Sequence, residues 1–505
     1  MDYIVAIPSH NRINKLKENT LALLDFYNIP KNKIYIFVAE NQIELYNKEL
    51  DNENTFEKSN TKDEGGYNLR TGILGIKENR KSISDYFNEN QFIVSLDDDI
   101  KDILILKETI LKPIESLLEL IKTMYNSLKQ NNCNLGGLYP IDNPYFMKDT
   151  ITTDLRFIIG NVKFFFNKKF LENRKFTLLE DYETTLKYYL YDNKVVRYNN
   201  IVASTNYKIL KWGLTQTDKN KEVELFNNKY PNYSSIKYKK NNNTDISLKR
   251  NPKRITLSTL WIKNPLNELA ILSIKSWLRQ GYLVDLYTDL DNLQYVFLKN
   301  NKITIKDPNT ICSYTNNDIL AYSDYWRYNL LLKPCTIWID ADMILLDQIP
   351  NRDIIISSEA TFQSGAFKSL LPNVPNIGLL KFNTDLGRDF LQEVIDNIYL
   401  KVEQSVFTDN MKIFRTKLKK KKYKELYDRV LPYYACCGVS WWNTAELYYD
   451  KNYSTKYSVI PIENDYIINN SIGIHCWNHF TYNKYKIDFT KIYPNSLFHR
   501  LQLFY

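Results

Sequence analysis

Phe92-Ile-Val-Ser-Leu96-Asp97-Asp98-Asp99-Ile100 and Thr336-Ile-Trp-Ile-Asp340-Ala-Asp342-Met-Ile-Leu345 decide the fold. Each is a short apolar run that stops in acids. A buried strand of an open α/β sheet reads this way when its carboxyl end faces a ligand crevice. Asp97 and Asp99 share one side of the strand if the extended conformation continues past Leu96, and Asp340 and Asp342 have the same spacing. Two carboxylates on one side make a site for a hard cation, and Mg²⁺ or Mn²⁺ held there fills its remaining positions with water and phosphate oxygens. A solvated turn that ends a strand carries the same residue types. Recurrence of the spacing in both halves favours the ion.

Working outward, strand-like runs at Tyr3–Ile7, Ile34–Val38 and Phe92–Leu96 alternate with a helical pattern at Ile13–Leu24. The chain turns polar over Asn241–Lys253, and the alternation then restarts with a strand at Arg254–Trp261 and a helix across Leu266–Leu278. A strand at Leu283–Tyr287, a helix near Ser323–Leu332 and the strand Thr336–Ile339 complete the second round. The expectation is an α/β chain of two tandem domains, residues 1–250 and 251–505, each with its own sheet. A length of 505 residues gives ample apolar surface for two large cores, and 44% hydrophobic with 25% charged residues is an ordinary globular balance.

Several chemistries lose their usual support. Neither a phosphate-cradling glycine loop nor a serine-hydrolase elbow occurs, and histidine is confined to His10, His475, His479 and His499. The six cysteines form no C-x-x-C pair, which argues against a zinc module and a disulfide framework and fits a reducing compartment. No leader-like or membrane-spanning apolar stretch is present, so the expected location is cytoplasmic, in a host's cytoplasm if the chain is viral. A net charge of +9 is compatible with an anionic ligand or nucleic acid and decides neither.

The second half resembles the GT-A glycosyltransferases with a DXD motif, particularly the glycosyltransferase-32 type. The likeness is carried by Ala321-Tyr-Ser323-Asp324-Tyr-Trp-Arg327-Tyr, by Ile337-Trp-Ile-Asp340-Ala-Asp342 and by Gly473-Ile-His475-Cys-Trp477-Asn478-His479. It departs from the family at Lys333-Pro-Cys335, where a Gly-Gly usually precedes the strand. The resemblance implies that Asp340 and Asp342 hold a metal and the donor diphosphate, that Asp324 and Arg327 contact donor sugar and phosphates, and that His475 completes the metal site. The first half looks like the glycosyltransferases associated with TET/JBP enzymes and their phage relatives that act on hydroxymethylated DNA bases. Ile7-Pro8-Ser9-His10-Asn11-Arg12, Asn79-Arg80, Ser95-Leu-Asp97-Asp98-Asp99 and Leu179-Glu180-Asp181 carry that likeness. It implies donor contacts from Ser9, Arg12, Arg80 and Asp98 and a metal at Asp97 and Asp99.

Asp181 opens a helical stretch, Tyr182–Tyr191, where a carboxylate could serve as general base toward an acceptor hydroxyl; an acid in a first helical turn also simply complements the helix dipole. The partners that follow are a nucleotide-sugar donor, a UDP-sugar above others, and either DNA with hydroxymethylated pyrimidines or a glycan, with no membrane span. A bifunctional enzyme that glycosylates DNA bases is the leading expectation. Glycan building on protein, lipid or saccharide, and one half retained as a binding module, are the alternatives. The lysine runs Lys237–Lys240 and Lys417–Lys424 are candidate phosphate contacts or solvated faces.

Overall fold

The structure is a computed structural model that describes residues 1–50, 66–205, 216–239, 243–289, 302–313, 318–362, 370–399, 407–444, 471–479, 481–482, 486–491 and 496–505. The chain divides into two compact units, Met1–Lys253 and Arg254–Tyr505. Both are α/β with a mixed central sheet, the fold class expected of the sequence.

The first unit contains β1 (Ile4–Pro8), β2 (Ile34–Ala39), β3 (Asn68–Gly72), β4 (Phe92–Leu96), β5 (Ile100–Lys107), β6 (Ile110–Pro113), β7 (Leu135–Tyr139), β8 (Ile151–Thr152), β9 (Val162–Phe166), β10 (Val196–Thr205), β11 (Ser234–Tyr238) and β12 (Thr244–Leu248). Its main sheet runs β3-β2-β1-β4-β9-β7-β10-β5-β6, with β8 on β10. β1 lies parallel to both β2 and β4, and β9 returns antiparallel to β4. The central strand β1 is apolar on both faces because both are covered: Val5 and Ile7 point into one core, Ile4 and Ala6 into the other. The helix Leu117–Asn131 turns Leu117, Leu120, Ile121, Met124 and Leu128 inward at helical spacing, with Ser116 accepting from the Glu119 N–H as its cap.

The second unit contains β13 (Thr256–Leu260), β14 (Leu283–Tyr287), β15 (Ile303–Lys306), β16 (Ile337–Ile339), β17 (Met343–Leu345), β18 (Ile354–Phe362), β19 (Leu370–Phe382) and β20 (Gly473–His475). Its sheet runs β15-β14-β13-β16-β19-β18, with β17 and β20 paired separately. Again the first strand has parallel neighbours on both sides, and an antiparallel strand flanks the fourth. Strand order therefore reverses beside β1 and beside β13, and a crevice opens there beyond the carboxyl ends. Both acid motifs lie at that position.

Two expectations need correction. The extended conformation does not continue past Leu96: Asp97, Asp98 and Asp99 form the break between β4 and β5, as Asp340, Ala341 and Asp342 do between β16 and β17. In the first unit Thr20 closes this turn, its hydroxyl donating to the Asp97 carbonyl at 2.7 Å and accepting from the Ile100 N–H at 3.0 Å. Thr20 reaches the turn from a π-helical segment, Lys17–Leu21, between the helical turns Ile13–Leu16 and Ala22–Phe26; such bulges concentrate at functional sites. The polar stretch 241–253, where no strand is expected, holds one. Residues 240–242 lie outside the described residues, and Thr244–Leu248 pairs with β11 as a hairpin that buries Ile246.

Thr20→Val keeps the shape and removes both hydrogen bonds, leaving the buried Ile100 N–H unpaired. We expect a loss of about 2 kcal/mol in denaturant unfolding; no change in the unfolding midpoint would show that the hydroxyl does not hold the turn.

Candidate active sites

In the second unit the helix Ile319–Leu331 precedes β16 and carries Asp324 and Arg327. Asp318 caps that helix, accepting from the Leu320 and Ala321 N–H groups. Arg327 is buried, its aliphatic stem and guanidinium lying over the Trp338 ring at 4.5 Å. Its Nη1 donates to Asp340 Oδ1 and to the Ile377 carbonyl, both at 3.0 Å. Trp338 Nε1 donates to the same Asp340 oxygen at 2.8 Å, so Oδ1 is saturated and Oδ2 is left to face His475.

β20 supplies that histidine by pairing antiparallel with β17, which sets His475 opposite Met343. His475 Nε2 lies 3.2 Å from Asp342 Oδ1 and 3.6 Å from Asp340 Oδ2. The other Asp342 oxygen accepts from the Asn478 N–H at 2.6 Å. His475 stacks on Trp477 with ring centres 4.1 Å apart, and its Nδ1 lies 3.8 Å from Cys437 Sγ. Burial disfavours a charged His475, yet Asp342, Asp340 and Glu359 outweigh it and raise its pKa; Asp342 is held below its ordinary value by His475 despite its own burial. One ligand atom from each of Asp340, Asp342 and His475 falls within 4.8 Å of the others, and this is the only such triad among the described residues.

Two carboxylates and an imidazole suit a divalent ion that accepts mixed nitrogen and oxygen donors, which favours Mn²⁺ over Mg²⁺. Gly378 approaches from the neighbouring strand: a Cβ there would lie 3.3 Å from Asp340 Oδ2 and 3.0 Å from the Asn376 amide oxygen. Asp324 sits completely buried behind Arg327, with a 3.4 Å ion pair and no hydrogen bond to either carboxyl oxygen. Burial pushes its pKa up to about 8, against the pull of Arg327, so near neutrality it is a protonated group able to donate.

The first unit brings its expected residues together differently. Arg80, on the helix Ile76–Tyr86, donates to Asp97 Oδ1 and to Asp181 Oδ1, each at 2.7 Å, and also pairs with Glu180. Behind it Glu180 meets Arg174 at 3.3 Å, and Arg174 pairs with Glu172, beside Lys163. Ser9 Oγ donates to Asp98 Oδ2 at 2.7 Å, and Arg12 Nη1 reaches Asp98 at 3.1 Å and Asp99 at 3.5 Å. Burial raises the Asp98 pKa to about 6, with Ser9 and Arg12 opposing; Asp99 is raised too, by burial and then by Asp97. A cleft of about 380 Å³ opens on these residues, walled by Pro8, Ala39, Ile73, Ile76 and Leu178 above Ser9, Arg12, Asp97 and Asp98.

Sequence reasoning missed Thr20, Trp338, Cys437 and the two close-packed glycines. Gly160 matches Gly378 in kind, since a Cβ there would collide with Asp181 and Arg80. The lysine runs are engaged locally. Lys417, Lys420 and Lys422 converge on Glu393, whose pKa is driven down chiefly by Lys420, and Lys239 pairs with Asp245 at 2.6 Å; Lys240 lies outside the described residues. All six cysteines are unbridged, and among the described residues no helix is long and apolar enough to cross a membrane.

No family model matches the chain, and no curated protein matches it. Among solved structures, the apo form of the glycosyltransferase GlyE of Streptococcus pneumoniae aligns at 12% identity and a TM-score of 0.26, covering 44% of this chain. The chain spans about half of that protein, 54%. A second structure of GlyE aligns at 11% identity and a TM-score of 0.20, over 67% of this chain and 92% of that one.

Asp324 gives a pH signature. Its folded pKa lies above the ordinary carboxylate value near 4, so between about 4 and about 8 the unfolded chain releases a proton that the folded chain keeps. Wild-type stability should therefore fall relative to Asp324→Asn as pH rises through that window and run parallel above it. Parallel curves across the whole window would place an ionised aspartate in the core.

Proposed function

We propose that the chain is a glycosyltransferase that draws on a nucleotide-sugar donor, with its ion-dependent chemistry in the second unit. The observation that carries this reading is the Asp340, Asp342 and His475 triad, set at the carboxyl end of β16 where strand order reverses. Such a crevice is where open α/β sheets bind nucleotides. A divalent ion held by these three residues would supply positive charge to a departing diphosphate. The chain's own groups do the rest. Arg327 fixes Asp340 by one oxygen, the Asn478 N–H fixes Asp342, and Trp477 orients the His475 ring. Asp324, completely buried behind Arg327, acts by positioning that guanidinium and does not touch the donor itself. In the first unit, Ser9, Arg12 and Asp98 at the floor of the cleft are the candidate donor contacts. Asp181 positions Arg80 through Oδ1, and its other oxygen is the one that could accept a proton from an acceptor hydroxyl.

For the acceptor we infer a saccharide ahead of a DNA base. Lys239, Lys417, Lys420, Lys422 and Lys424 pair with local acids, which leaves fewer uncommitted cations in these runs for phosphates.

With UDP-sugars and Mn²⁺, Asp342→Asn should lower donor turnover by about a hundredfold or more, and chelation should abolish the wild-type activity until Mn²⁺ is restored. Turnover indifferent to both would refute the assignment. Label transfer then decides the acceptor: an oligosaccharide should take label and hydroxymethylated duplex should not, with the opposite outcome restoring the DNA reading. Replacing Lys419–Lys422 should leave the salt dependence of any DNA retention unchanged; a flattened slope would return that run to a nucleic-acid surface.

A further inference from the structure

The two acid turns occupy equivalent places in their sheets, yet their charges are satisfied by different chemistry. We infer that the Asp97–Asp99 turn of the first unit is built around two guanidinium groups in place of a divalent ion, and that it takes up none. The inference goes beyond the proposed function and uses the second unit only as the contrasting case.

In the second unit one arginine serves the turn. Arg327 engages a single oxygen of Asp340, and Asp342 has no arginine partner, only His475 and a backbone N–H. Two oxygens and one ring nitrogen thus converge with a gap between them, which is the arrangement of a ligand set. In the first unit Arg80 is buried and bridges Asp97 to Asp181 and Glu180, while Arg12 spans Asp98 and Asp99. Every acid of the turn therefore has a guanidinium within 3.5 Å. Asp98 is held on both oxygens, by Ser9 and by Arg12, and among the described residues no three ligand atoms of this unit converge as those of Asp340, Asp342 and His475 do. Removing one partner from a buried, paired charge leaves the other uncompensated out of water.

A third ligand is missing as well. His10 is the histidine of this cleft, and both its nitrogens face side-chain amides: Nδ1 lies 2.9 Å from Gln42 Nε2 and Nε2 lies 3.2 Å from Asn11 Nδ2. Asp181 gives one oxygen to Arg80, and among the described residues it joins no triad of converging ligand atoms. Arg12, with part of its side chain exposed at the floor of the cleft, is then the group that meets an anionic ligand, with no metal between them.

The test is a count of tightly bound Mn²⁺ on the full chain, by electron paramagnetic resonance of free against bound ion. The expected result is one equivalent per chain, lost in Asp342→Asn and retained in Asp97→Asn and in Asp99→Asn. Asp99 is partly exposed, so its variant keeps the measurement interpretable if Asp97→Asn unfolds. Two equivalents in the wild type, or an equivalent lost on Asp99→Asn, would overturn the inference while leaving the second-unit site intact. A wild type that binds no ion would instead overturn the ion reading of the second unit and leave the first-unit turn as described.

Discussion

A carboxylate at the tip of a buried strand must be neutralised, and the arginine one helix earlier in the chain is what does it in both units. Arg80 precedes β4 and meets Asp97; Arg327 precedes β16 and meets Asp340. Each guanidinium is itself buried, so neither partner is stable without the other. The pair fixes the first acid of the turn and thereby sets what the remaining acids can do. With the second unit's Asp342 unclaimed by any arginine, a histidine can approach. The first unit's acids are instead paired with Arg80 and Arg12.

Geometry further narrows the space above each turn. An antiparallel strand follows beside the fourth strand in both sheets, and a glycine on or just before it lies against the acids, Gly160 in one unit and Gly378 in the other. A side chain at Gly160 would fill the ground between Arg80 and Asp181, and one at Gly378 would crowd Asp340, Asn376 and Met343. The glycines therefore act through what they lack, which is why substitution there would reshape the site without touching its charges.

Much of the architecture was legible. Phe92–Leu96 and Leu283–Tyr287 are mostly apolar runs, each interrupted by one polar residue, Ser95 and Asp285, and the strands occupy those residues. The place of the acids followed from the same runs. Where β4 stops did not, because a two-residue period says nothing about a hydroxyl from Thr20 closing the chain 77 residues away. The tie from Arg80 to Glu180 and Asp181 spans about a hundred residues and leaves no local mark in the sequence. The hairpin strand Thr244–Leu248 was hidden by its polar composition, since only Ile246 and the partly buried Leu248 are apolar. The lysine run read as an open basic face because Glu393 lies on another helix.

The central claim is that Asp340, Asp342 and His475 together ligate a divalent ion. Pulsed electron paramagnetic resonance of Mn²⁺ bound to the full chain tests it most directly, because a coordinated imidazole imprints nitrogen hyperfine coupling on the ion. The account predicts that coupling in the wild type and its disappearance in His475→Ala. Bound Mn²⁺ with no nitrogen coupling, or coupling that survives the loss of His475, would contradict it.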